Sequence, residues 1–219
     1  MSATFETAVT YHLGLAAAEP GLTDSLTPVE RLALDRIDPP ACRQDWLAGI
    51  AAAKRAVSQA TGESRLERIQ IRARWNDGAT AVVAEDDGTV WPSDVSVVVA
   101  RRRGHGAAVA VRGPHRVGVH LECADAVRDE HAEYLLTAGE RGALDRYGVA
   151  ELWALKEAAW KALACDRTMV FDSLELVFDV QGAVGECRLF GQLVPVRATV
   201  WRPWPGYVLA IVTEADAGP

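Results

Sequence analysis

The chain has 219 residues, 49% of them apolar and 24% charged, with 23 basic against 30 acidic side chains and a formal charge of −7. That length buries a full core, as one large domain or two small ones, and the acidic balance argues against nucleic acid or an anionic membrane as partner. No apolar run approaches the ~18 residues of a membrane span and no basic stretch leads into an apolar one at the N-terminus, so a soluble cytoplasmic protein is expected.

Residues 1–24 read as an N-terminal extension. Thr27-Pro28-Val29-Glu30 then opens a helix as a capping box, the Thr hydroxyl accepting from the backbone three residues on and the Glu reaching back, with Pro28 at the first helical position. A second helix is predicted over 46–60, rich in Ala and free of Pro, and Ile69-Gln70-Ile71 begins the strands. Asn76-Asp77-Gly78, Asp86-Asp87-Gly88 and Arg103-Gly104-His105-Gly106 are turn signals, the last closing a hairpin of strands 95–99 and 106–111. Gly113-Pro114 marks a passage, after which Val117-Gly118-Val119-His120-Leu121-Glu122 reads as a short strand. Thr137-Ala138-Gly139-Glu140 is a second capping box, and a helix over 151–164 follows it. Leu176-Val177-Phe178 is again a strand, and a second hairpin joins 196–200 to 206–212 through Pro203-Trp204-Pro205-Gly206. The four cysteines, Cys42, Cys123, Cys165 and Cys187, make no CxxC pair and are expected as reduced, buried thiols.

This order is a repetition. Residues 27–36 and 137–146 are identical at seven of ten positions, and Trp46 to Lys54 has the same interval as Trp153 to Lys161. The expected fold is therefore α+β. Two similar helix-plus-antiparallel-sheet halves, 25–114 and 115–219, are related by a pseudo-twofold axis, with a ligand cleft at their seam.

Chemistry concentrates in the second half. Strand alternation puts His120 and Glu122 on one side, and the four-residue spacing of Glu157 and Lys161 puts them on one helix face. Together they form a constellation able to bind a cation or move protons; taken bare, a Glu–Lys pair at this spacing equally describes a solvated helix face. Arg101-Arg102-Arg103 and His105 read as a solvated hairpin tip, with the capacity to supply charge for a phosphate, and His115 and Arg116 lie beside the motif strand where they are able to face the cleft.

The order of elements resembles the 4′-phosphopantetheinyl transferase superfamily, in its larger, pseudo-symmetric monomeric branch. The family pairs a Gly-(Val/Ile)-Asp-x-Glu strand with a later (Phe/Trp)-x-x-Lys-Glu-(Ala/Ser)-x-x-Lys helix. Trp153-Ala154-Leu155-Lys156-Glu157-Ala158-Ala159-Trp160-Lys161 matches the second at every defined position, and Gly118-Val119-His120-Leu121-Glu122 matches the first except at the Asp. Asp45-Trp46-Leu47-Ala48-Gly49-Ile50 with Lys54 is similar to the family's Trp-Leu-x-Gly-Arg helix, and the resemblance spans residues 25 to 213. It implies transfer of phosphopantetheine from coenzyme A to a carrier-protein serine, with magnesium held by the motif Asp and two Glu residues.

The chain departs from that pattern where the phosphates and metal belong. His120 stands at the magnesium carboxylate, Ile50 at the coenzyme-holding Arg, Val99 at a phosphate-contacting His, and Gly78-Ala79-Thr80 at a Gly-(Lys/Arg)-Pro turn. Imidazole is a poor ligand for a hard, oxygen-preferring ion. The first expectation is thus a repurposed member that uses His120, Glu122, Glu157 and Lys161 without a cofactor. Its reaction is acid–base chemistry, meaning dehydration, isomerisation or cyclisation, on a free or carrier-bound polyketide or peptide intermediate. The alternative is a divergent active transferase, with coenzyme A and magnesium or manganese on Glu122 and Glu157, His120 joining them for manganese. A third reading is a non-catalytic protein that binds an acyl or peptidyl carrier domain.

Overall fold

The apolar alternation and the capping boxes become strands and helices in the computed structural model, which describes residues 10–73, 78–84, 90–163 and 173–215. Among these residues the order begins β1 (Tyr11–Ala17), α1 (Pro28–Asp35), α2 (Pro40–Thr61), β2 (Ile69–Ala73), β3 (Gly78–Ala84), β4 (Val90–Arg102) and β5 (His105–Arg112). It continues β6 (Val117–Cys123), α3 (Ala132–Leu135), α4 (Ala138–Arg141), α5 (Val149–Leu163), β7 (Leu174–Phe178), β8 (Val184–Leu189), β9 (Gln192–Trp201) and β10 (Tyr207–Glu214). The protein is α+β, with two five-stranded antiparallel sheets ordered β1-β5-β4-β3-β2 and β6-β10-β9-β8-β7. Counted from its first strand, each sheet has the same order.

Both capping boxes form, and each does more than start a helix. Glu30 accepts from the Thr27 N–H at 2.9 Å, from the Ile71 N–H at 2.9 Å, and pairs with Lys54 at 2.7 Å. Glu140 accepts from the Thr137 N–H at 2.7 Å, from the Leu176 N–H at 2.9 Å, and pairs with Lys156 at 2.8 Å. One buried carboxylate thus ties a short helix, a long helix and a strand together in each case. Burial pushes the Lys54 ammonium below its ordinary range, against the opposing pull of Glu30. The equal Trp-to-Lys intervals suggested Lys54 and Lys161 as counterparts. Packing assigns the buried pair to Lys54 and Lys156, and Lys161 has a different position.

The long helices approach their sheets closely, at glycine. A Cβ on Gly14 of β1 would overlap the Ala52 carbonyl of α2, and one on Gly118 of β6 would overlap the Ala158 carbonyl of α5. Beneath α2, Ala52, Ala56 and Val57 pack with Ile69, Val95 and Ala108; beneath α5, Leu152, Leu155 and Ala159 pack with Leu174, Leu176 and Ala210. A further core lies between the sheets, where Val109 and Val111 of β5 meet Val119 and Leu121 of β6 and Leu209 and Ile211 of β10.

Three features differ from the sequence expectation. Residues 11–17, placed in an N-terminal extension, are the edge strand β1, paired from Tyr11 with Val111 to Ala17 with His105. Helix α2 starts at Pro40, ahead of Trp46, because a proline whose missing N–H needs no partner is tolerated in the first turn. Cys42 is exposed, whereas Cys123 and Cys187 are buried, and burial with Glu140 nearby pushes the Cys187 thiol up to about 12. The turn signals at 76–77 and 86–88, residue 164 and Cys165 lie outside the described residues. Among the described residues no helix is long and apolar enough to cross a membrane.

Candidate functional site

Strand β6 has two faces with different work. Val117, Val119 and Leu121 point into the core between the sheets, while Gly118, His120 and Glu122 alternate onto the side covered by α5. Because Gly118 admits α5 to backbone contact at Ala158, the neighbouring Glu157 is brought close to His120. Glu157 Oε2 lies 3.9 Å from His120 Nδ1, and Glu122 Oε2 lies 3.5 Å from His120 Nε2. The imidazole is therefore flanked by carboxylates on both edges, yet both ring nitrogens are buried without a hydrogen-bond partner.

Glu122 is itself held from the other sheet. Its Oε1 receives the Arg102 guanidinium at 3.0 Å and the Cys123 N–H at 2.9 Å. Burial alone would raise its carboxyl, but His120, the Cys123 N–H and Arg102 outweigh that, and the group sits below the usual carboxylate range.

Beside this chain of contacts opens a cavity of about 270 Å³. Val99, Ala100 and Arg101 of β4 form one wall, His120 and Leu121 of β6 the floor, and Glu157 and Lys161 of α5 the other wall. The sequence-selected residues are thus gathered in one region: His120, Glu157 and Lys161 line the cavity, and Glu122 stands behind the imidazole. Val99 contributes an apolar wall, whereas Ile50 packs in the core under α2.

The basic hairpin tip is solvent-exposed at Arg101, Arg102 and Arg103, in keeping with the sequence reading, and it also makes contacts that the sequence did not indicate. Arg102 and Arg103 cross to the second sheet, to Glu122 at 3.0 Å and to Asp125 at 2.9 Å, and Arg101 lines the cavity. His105 is packed against Trp204 and Tyr207, with ring centroids 4.7 and 4.3 Å apart. The run stays solvated with the second sheet beside it, and the one signal for the cavity was the alternation that gives Val99 and Arg101 a common side. Arg116 turns away, to Glu214 at 3.5 Å, and His115 is exposed; neither lines the cavity.

A divalent metal of the kind the family resemblance implies does not fit these donors. Glu122 is neutralised by Arg102, which leaves Glu157 and an imidazole, a set unsuited to a hard ion needing several oxygens. Among the described residues no three His, Cys, Asp or Glu side chains gather as a metal-holding group. No protein-family model and no curated protein sequence matches the chain.

Proposed function

We propose that this protein has the 4′-phosphopantetheinyl transferase fold, its two similar halves related by a pseudo-twofold axis, and that its cleft performs acid–base chemistry in place of phosphopantetheine transfer. The equal strand orders, the paired Thr-Glu-Lys networks and the two glycine contacts support the fold reading. The observation that carries the chemistry is His120, set between Glu122 and Glu157 on the floor of a small cavity. Glu122, fixed by Arg102, stands at Nε2, so Nδ1, on the Glu157 side, is taken as the proton-transferring atom. A proton taken from carbon beside a carbonyl and returned to carbon gives isomerisation; returned to a departing hydroxyl it gives dehydration. Lys161 stabilises the enolate oxygen in between. The substrate is a small polyketide- or peptide-type intermediate, free or on a carrier domain, and the chemistry needs no cofactor.

Arg101 and Lys161 favour a second reading, a divergent transferase, because cations on a cavity wall also suit the phosphates of coenzyme A. Two measurements separate the readings. The protein is incubated with coenzyme A, magnesium or manganese, and apo carrier proteins, and the carrier mass is read; no mass gain is expected. Solvent-deuterium exchange into small keto acids is followed by NMR; acceleration by the wild type, lost by roughly a hundredfold or more in His120→Ala, is expected for a positioned general base. A phosphopantetheine mass gain, or unchanged exchange in that variant, would overturn the proposal.

A further inference from the structure

We infer that the cavity selects substrates carrying a carboxylate, and that Arg101 is the group that anchors it; this rests on the acid–base reading above. Three consecutive arginines end β4, and the fold treats them differently. Arg102 and Arg103 each have a carboxylate partner, Glu122 and Asp125. Arg101 lines the cavity, and among the described residues its guanidinium has neither an ion-pair nor a hydrogen-bond partner.

Its stem runs past α2. Gly49 of α2 leaves room for it, since a Cβ there would stand 3.4 Å from Arg101 Cδ and 3.2 Å from Val99 Cγ1. Arg101 is exposed, and a guanidinium without a partner on a residue that lines a cavity matches the two oxygens of a carboxylate in bidentate fashion. The other wall carries Glu157 beside Lys161, so the lysine's attraction is offset there by a carboxylate, whereas the Arg101 wall carries a cation alone and is where a carboxylate lodges. That directs the opposite end of the molecule, with its reactive carbon, toward the imidazole. About 270 Å³ holds a small acid and lies under the usual range for drug-sized ligands, roughly 300–1,000 Å³.

The test uses 4-oxopentanoate, its neutral methyl ester and inorganic phosphate as probes, with affinity read by calorimetry on the full-length protein. The acid is expected to bind about tenfold or more tightly than the ester, the scale of a charge-assisted hydrogen bond. Arg101→Gln removes that advantage, Arg101→Lys retains part of it, and Arg112→Gln, at the other end of the β4–β5 hairpin, leaves it intact. Equal affinity for acid and ester, an Arg101→Gln variant that still prefers the acid, or phosphate binding more tightly than the acid would each overturn the inference. The acid-against-ester comparison uses the wild-type protein and stands even where a variant does not fold. Deuterium exchange into the same probe keeps the two proposals apart. If only the acid–base reading fails, the acid binds through Arg101 without accelerated exchange; if only the anchor fails, exchange is accelerated while its KM is unchanged in Arg101→Gln.

Discussion

In the acid–base chemistry proposed for His120, the nearest charged group to its ring is Glu122, 3.5 Å from Nε2, a carboxylate whose own charge is secured by Arg102 and the Cys123 N–H. Since its folded-state carboxyl lies below the ordinary value of about 4.3, its contribution to stability is complete above that pH and is lost as pH falls through the folded value. Urea denaturation should therefore find Glu122→Gln less stable than wild type near pH 7, with the gap shrinking below about pH 4. A constant gap across that range would remove the ion pairs from the explanation. His120, Glu157 and Lys161 were legible because strand alternation and helical spacing are local rules. The role of Arg102 was not, because its partner Glu122 arrives from a separate sheet and no local pattern announces it.

Among the elements, the two buried Glu–Lys pairs connect helix starts to sheets, and removing one member leaves an unpaired buried charge. Lys156→Met should cost about 3–5 kcal/mol by chemical denaturation, while the double variant with Glu140→Gln recovers part of that loss. Additive single effects would show that the pair acts as two separate contacts. Gly118→Ala should destabilise by about 1–3 kcal/mol or more, because the methyl group meets the α5 backbone and forces the helix that carries Glu157 and Lys161 away from β6. A variant as stable as wild type would refute that close contact. Both capping boxes were visible as Thr-x-x-Glu. Which lysine answers Glu140 was not, for α5 carries two, and the interval count favours Lys161 while depth of burial selects Lys156.

At the scale of the whole molecule, the apolar layer between the sheets makes one cooperative body of two helix-covered sheets. Leu209 is fully buried there, and Leu209→Ala should cost about 2–5 kcal/mol while leaving a single unfolding transition. Two separate transitions in the wild type, seen by calorimetry, would contradict that coupling. The repeated sequence made two similar sheet-and-helix units legible, and the composition made a full core legible. Strand β1 escaped, because its pairing partner β5 lies some ninety residues downstream and only Pro20-Gly21, on one side, frames Tyr11-His12-Leu13-Gly14-Leu15.

The placement of the cavity has a thermodynamic corollary. Its walls belong to β4 on one side and to β6 and α5 on the other, so occupancy and cohesion of the two sheets are reciprocal quantities. A ligand that fills it acts as a removable crosslink, adding about 2.7 kcal/mol at a hundred times its Kd if it binds only the folded body. The same reciprocity means that loosening an inter-sheet contact outside the cavity lining, such as the packing of His105 against Trp204 and Tyr207, lowers affinity without touching a ligand atom.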